Sequence, residues 1–329
     1  MMKKAIVSFL LLIISVWSFS VTILAEEKQY REIDILKKGN VDTYYITNDK
    51  KIRVLDESKK ICHVYQYYGG KYRRVKSDPF IPFSKKVRGK NESMTFLAPS
   101  VNKRGNAYYT ANDYTIYQYN KKGKIKAAFN LKKKVKLQSG NRRISNVIWL
   151  NKNLVAVDTW QLGKDNSGIY LVDMKKKQIK KSYSTKYADL LGGQGNYIYV
   201  KSGNSQSQNE VIYKLKASSG KVISQLSTSN LRKTGETNTE SDLTYGNLKD
   251  ANFGSCVFGN SLFLSYLSGI YRWNEKTFSF ERVLDAKEQY HAGKFYRSKL
   301  QMLHRNQFAI MGNSEESDGP TGFYLYKKS

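Results

Sequence analysis

The stretch Ile169-Tyr170-Leu171-Val172-Asp173, followed by a lysine turn and Gln178-Ile179-Lys180-Lys181-Ser182-Tyr183, reads as a strand, a tight polar turn and a second strand. Five further stretches read the same way. Ile52-Arg53-Val54-Leu55-Asp56 leads to Lys59-Lys60-Ile61, and Ile116-Tyr117-Gln118-Tyr119-Asn120 to Gly123-Lys124-Ile125. Ile212-Tyr213-Lys214-Leu215 leads to Gly220-Lys221-Val222, and Ile270-Tyr271-Arg272-Trp273-Asn274 to Lys276-Thr277-Phe278. Phe323-Tyr324-Leu325-Tyr326 runs to the chain end. The first residues are spaced by 64, 53, 43, 58 and 53, on average about 54. Repetition near this period marks a solenoid, propeller or array. Units with strand character and no helical period point to propeller blades.

Taking the motif as third strand of a blade, a further strand precedes each copy: 43–47, 106–110, 154–160, 196–201, 262–267 and 307–311. Apolar segments such as Asn146-Val147-Ile148-Trp149 and Ser255-Cys256-Val257-Phe258 supply the first strands. The connections are rich in Asn, Gly, Asp and Lys, residues that tolerate tight hairpins. The resulting fold class is all-β, a six-bladed β-propeller of four-stranded antiparallel blades, with a seven-bladed ring as the alternative. Residues 30–36 fit the first strand of the first blade by spacing; pairing as the last strand of the final blade is the other way to close the ring. Within the motif, Ile169 and Val172 are assigned to one blade interface and Tyr170 and Leu171 to the other.

The aromatic-aliphatic third strand, the Asp or Asn turn and the Gly/Lys-Ile start of the fourth resemble the repeats of the bacterial β-propeller superfamily, including quinoprotein-like and other secreted propellers. The resemblance covers about residues 30–329. It implies an architecture and no catalytic residue, because a fold does not fix a function. A Trp-Asp pair and a paired-glycine signature are both missing.

Lys3 and Lys4 precede an uncharged, mostly apolar run from Ala5 to Leu24 that ends at Ala25-Glu26-Glu27. This reads as a secretory signal over residues 1–25, or as an uncleaved N-terminal membrane anchor of spanning length. Residues 26–329 then form one propeller domain outside the cytoplasm. Cys62 and Cys256 fall in blades that are not neighbours and are expected as two thiols.

The strand order divides the connections between two faces. One carries short turns; the other carries the long segments 68–92, 132–143, 161–167, 202–209, 227–247, 286–298 and 312–320, and is the expected working face. The chain holds 56 Lys and Arg against 27 Asp and Glu, a formal charge of +29. Lys71, Arg73, Arg74, Lys76, Lys85, Lys86, Arg88 and Lys90 cluster on the first long segment, beside Tyr72, Phe80 and Phe83. Lys132, Lys133, Lys134, Lys136, Arg142 and Arg143 follow on the second. Together they are the expected polyanion-binding residues, since paired basic loops concentrate a positive field and Arg pairs grip phosphate bidentately. Lys175-Lys176-Lys177 lies on the short-turn face and reads as solvation.

Catalytic signatures are absent. His63, His291 and His304 lack metal-ligand spacing, and no glycine-rich phosphate loop or nucleophile elbow occurs. His63 is placed on an outer strand, and His304 at the end of a first strand. Glu315, Glu316 and Asp318 read as a polar turn rather than a calcium loop, and Asn91-Glu92-Ser93 is a weak glycosylation match. No cofactor and no metal are expected. The sequence therefore reads as a non-enzymatic extracytoplasmic binding propeller, expected as a monomer. Its partner would be an anionic wall polymer, an anionic lipid surface or an acidic protein, and not nucleic acid. An enzyme acting on carbohydrate or lactone at the channel mouth is the alternative, and a structural subunit of a membrane assembly is a third reading.

Overall fold

A computed structural model describes residues 30–38, 43–46, 51–56, 61–68, 71–79, 142–161, 168–202, 211–227, 255–266, 269–285, 299–304, 307–312, 322–328 and most of 100–135. The expectations for residues 1–25, for His291, for Glu315, Glu316 and Asp318, and for Asn91 lie outside them. The described strands make six four-stranded antiparallel sheets. After β1 (Tyr30–Lys38), the first sheet contains β2 (Thr43–Ile46), β3 (Ile52–Asp56), β4 (Ile61–Tyr68) and β5 (Lys71–Pro79). The second contains β6 (Ser100–Val101), β7 (Ala107–Ala111), β8 (Thr115–Asn120) and β9 (Ile125–Asn130). The third contains β10 (Arg142–Asn151), β11 (Leu154–Gln161), β12 (Gly168–Asp173) and β13 (Gln178–Ser182). The fourth contains β14 (Tyr187–Gln194), β15 (Tyr197–Ser202), β16 (Val211–Lys216) and β17 (Val222–Ser227). The fifth contains β18 (Ser255–Phe258), β19 (Ser261–Tyr266), β20 (Gly269–Asn274) and β21 (Ser279–Asp285). The sixth orders β22 (Lys299–His304), β23 (Gln307–Gly312), β24 (Gly322–Lys328) and finally β1.

The expectation of six equivalent blades, or seven, is corrected. Five blades succeed one another through their first strands: β6 and β7 pack on β10, β10 on β14, β14 on β18 and β18 on β22. The remaining sheet, β2 to β5, is joined to this succession through contact of its outer strand β5 with β1. The physical reason lies in the repeat itself, which marks a hairpin and not a position in a blade. In five copies the motif is a third strand (β8, β12, β16, β20, β24), whereas Ile52–Asp56 is the second strand of its sheet. His63 accordingly sits on third strand β4 rather than on an outer strand.

The ring-closure expectation is corrected as well. Residues 30–38 pair antiparallel with β24, Tyr30 opposite Lys328 and Lys38 opposite Gly322, and so supply the last strand of the sixth sheet. The missing outer strand of that blade comes from the other end of the chain.

The core is a series of seams between blades. Tyr170 and Val172 join Ile116, Phe129 and Leu131 of the second sheet, while Ile169 and Leu171 join Tyr187, Leu190 and Val200 of the fourth. Successive strand residues point to opposite faces, so the grouping of Ile169 with Val172 is corrected to Ile169 with Leu171. Between the fourth and fifth sheets Tyr199, Ile212 and Leu226 meet Leu264, Trp273 and Phe280. First strands approach closely there: a Cβ on Gly192 would lie 2.5 Å from Val257 Cγ2.

Three motifs end in a side chain that shapes the following turn. Asp173 Oδ1 accepts from the Lys175 and Lys176 amides, both at 3.0 Å. Asn120 Oδ1 accepts from Lys122 and Lys124, and Asn274 Oδ1 from Lys276 and Thr277. These turns need a left-handed residue near their ends. Gly220 meets the need without steric cost at φ 72°, whereas Lys177 (51°) and Phe278 (49°) hold it against the preference of their side chains.

Candidate functional site

The structure separates the expected polyanion-binding residues into two groups. Lys71, Arg73, Arg74 and Lys76 stand on strand β5 and not on a long loop, a correction to their placement. The Gly69-Gly70 pair between Tyr68 and Lys71 is the hairpin signal that marks this strand in the sequence. On β5, the outer strand of its sheet, Arg73, Arg74, Val75 and Lys76 are all exposed in succession, while Tyr72 is buried. Tyr68, opposite Lys71 in the register, is half exposed and adds an aromatic surface to the ridge. Charge on such an edge also discourages pairing with another strand.

Lys132 and Lys134 are exposed in the turn after β9, with Lys132 Nζ 4.8 Å from the centre of the Tyr114 ring. That turn is closed by the Lys134 and Val135 amides donating to Leu131 O, each at 3.0 Å. Arg142 and Arg143 begin β10, and Arg143 is exposed. Lys85, Lys86, Arg88, Lys90, Lys133 and Lys136 lie outside the described side chains.

Sequence reasoning passed over the opposite end of the blades. The turns joining first to second and third to fourth strands share one face, by the alternation of strand direction. In the second sheet they expose Arg104, Lys122 and Lys124, and in the fourth Lys216 and Lys221. In the third they expose Lys152, Lys175, Lys176 and Lys177, and in the fifth Lys276. Among the described residues the carboxylates at this end are engaged. Asp173 is buried under its turn, and Glu275 pairs with the buried Lys214 of the neighbouring blade. Phe278 projects from the same face, 60% exposed.

The Lys214–Glu275 pair belongs to a polar clasp across the fourth and fifth blades. Lys214 Nζ lies over the Tyr197 and Tyr199 rings at 4.8 and 5.7 Å, and the Tyr199 hydroxyl donates to Asn260 O at 2.6 Å. Burial, then the charge of Glu275, raises the Tyr199 phenol above its ordinary range. Nearby, partial burial disfavours the Glu281 carboxylate, but hydrogen bonds from Arg272 and Asn274 and the Arg272 charge outweigh it and hold its pKa below the usual value.

A second polar group closes the seam between the third and fourth blades, toward the long-connection end. Asp158 on β11 is fully enclosed; its Oδ2 accepts from the Leu190 amide of β14 at 3.1 Å, while Oδ1 has no hydrogen-bond partner. Burial first, and the adjacent Asp189 second, push its pKa up to about 8, moderated by the Leu190 and Thr159 amides and the Ser145 hydroxyl. Asp189 pairs in turn with the buried Lys201 at 3.1 Å. Desolvation disfavours the ionised form, so a protonated carboxyl is what this pocket holds at neutral pH.

Among the described residues no group of three or more His, Cys, Asp or Glu converges in a way that could hold a metal ion. Cys256 is a half-buried thiol on β18, and the side chains of Cys62 and His304 lie outside the described set.

No protein-family model matches the chain, and no curated protein matches it by sequence. Several solved structures are similar to it in fold. Sqt1 of Saccharomyces cerevisiae has 12% identity and a TM-score of 0.43, covering 90% of this chain and 72% of its own. The WD40 domain of Neurospora crassa Pan2 has 9% identity and a TM-score of 0.44, over 92% and 97%. The Dos1 propeller has 10% identity and a TM-score of 0.46, over 91% and 94%.

Proposed function

We propose that this chain is a non-enzymatic, extracytoplasmic binding propeller that captures an anionic envelope component or an acidic partner protein. The observation that carries the reading is the ridge on β5, where Arg73, Arg74 and Lys76 are exposed side by side on a rigid strand. On a strand the two guanidinium groups stand on opposite faces, and each can make bidentate contact with carboxylate or phosphate. Lys132, Lys134 and Arg143 extend the same chemistry to the connection before β10. The export reading and the likeness to secreted bacterial propellers rest on the N-terminal sequence and the repeat pattern, and they are part of the proposal.

The test measures binding to poly(glycerol phosphate) and to polyglutamate from about 0.05 M to about 0.5 M salt. Over that range the screening length falls from about 14 Å to about 4 Å, and binding should weaken steeply. Arg73→Ser with Arg74→Ser should reduce it severalfold while leaving the melting temperature within about 1–2 °C, since both side chains are exposed. Affinity insensitive to salt and to both substitutions would remove the electrostatic reading.

A further inference from the structure

We propose that the short-turn face of the second to fifth sheets docks on an anionic lipid bilayer, with lysines against headgroup phosphates and the Phe278 ring seated between them. This surface was not among the expected working residues, and it is separate from the β5 ridge.

Three observations converge. The exposed charged residues described on these turns are all cations, in a chain whose cations outnumber its carboxylates only about two to one. The two acids described at this end are engaged, Asp173 capping a turn and Glu275, whose side chain is 38% exposed, paired with Lys214. This face therefore presents a positive field.

The second observation is geometric. The turns are tight, and those of the second, third and fifth sheets are held by side-chain caps from Asn120, Asp173 and Asn274, which stiffens their tips. A broad array of short, stiff tips is complementary to a plane, and a membrane surface is the planar polyanion of this chemistry.

The third is Phe278. It is 60% exposed and sits at φ 49°, in a turn position that Gly220 fills in the neighbouring blade. Folding gains little from a bulky ring there, and the backbone is strained by it. An aromatic ring at the tip of a basic surface suits the interfacial region of a bilayer, where rings sit at headgroup level.

The experiment uses the full chain with vesicles of phosphatidylglycerol and phosphatidylcholine, compared with phosphatidylcholine alone. The apolar stretch of residues 5–24 meets both vesicle types alike, so the difference between them reports the charged face. Each lysine near an anionic surface is worth about 1 kcal/mol. Lys175→Ser, Lys176→Ser and Lys276→Ser together should therefore lower the preference for anionic vesicles by about a hundredfold. Phe278→Gly, which relieves strain and so leaves the fold intact, should lower it further. In a Phe278→Trp variant, brominated lipid chains should quench emission beyond the loss seen in the parent protein. Unchanged preference in the triple variant would overturn the proposal. It would also fall if the triple variant lost binding to soluble polyphosphate equally while Phe278→Gly and the quenching showed no effect, because the face would then read a free polymer.

Discussion

Replacing Asp158 by Asn should stabilise the protein increasingly as pH rises. Asp158 is enclosed between β11 and β14, and its carboxyl has a pKa of about 8 in the fold against 3.8 ordinarily. A raised carboxyl pKa means that the folded state holds the proton more tightly than the unfolded chain. Below about pH 4 both states are protonated and the group has no net effect. Between about 4 and about 8 the unfolded chain releases its proton while the folded one retains it, so stability falls as pH rises. Above about 8 the full cost of burying the charge is present. At 1.36 kcal/mol per tenfold change in proton affinity, the distance from 3.8 to about 8 sets a ceiling of about 6 kcal/mol. Relaxation around a buried ion reduces the realised cost to about 2–4 kcal/mol.

Asn keeps the shape of the protonated acid and an acceptor for the Leu190 amide. The variant should match the parent near pH 4.5 and exceed its melting temperature by about 4–8 °C at pH 8.5, taking about 2 °C per kcal/mol at this chain length. Thermal unfolding of both proteins across pH 4.5–9 reads this directly, since every other titrating group is common to the pair. A constant difference across that range would show that Asp158 does not hold a proton in the seam. Removing the neighbouring charge with Asp189→Asn should move the midpoint of the pH effect downward.

The clasp between the fourth and fifth blades predicts that Glu275→Gln costs about 1–3 kcal/mol by leaving the Lys214 ammonium buried without its counter-ion; adding Lys214→Met should recover most of it in denaturant titrations. Gly192→Ala should destabilise by about 1–3 kcal/mol, because its Cβ would meet Val257 Cγ2 at 2.5 Å. Val257→Ala in that background should restore part of the loss, and additive losses would refute the contact. Phe278→Gly should raise stability by about 0.5–1 kcal/mol through release of the φ 49° strain, measurable as a higher urea midpoint.

The architecture was legible because each motif carries two local signals at once, an alternating strand and a capped turn. Asp173, Asn120 and Asn274 show why the cap was readable: their side-chain oxygens accept the turn amides within two to four residues. Position within a sheet was not readable from these signals. A hairpin at residues 52–68 looks the same whether its strands are second and third or third and fourth, and only the long-range pairing of β2 with β3 decides. The pairing of Tyr30 with Lys328 is the extreme of this limit, since nothing local in residues 30–38 refers to the chain end. Asp158 was invisible for the same reason. Its chemistry arises from β14, and the sequence places Leu190 and Asp189 some thirty residues away.

The acidic side chains described in the structure serve the frame as well as the charge balance. Every acidic side chain described in the structure is engaged within the frame. Asp173 caps a turn, Asp189 meets Lys201, Glu275 meets Lys214, Glu281 meets Arg272, and Asp158 is enclosed in a seam. The interior takes up two lysines, Lys201 and Lys214, beside the two buried acids Asp158 and Asp173, and a buried ammonium needs both a carboxylate and further stabilisation, as Lys214 has from two tyrosine rings. Exposed cations stand on β5 and on the turn tips. Because the frame consumes the acids for stability, substitutions that free them should raise the negative character of the turn face and weaken its attraction for polyanions even where no surface lysine is changed. Lys214→Met in the presence of Glu275 is the direct case: it unmasks one carboxylate beside Lys276, and anionic-vesicle binding should fall several-fold at low salt and recover on adding Glu275→Gln.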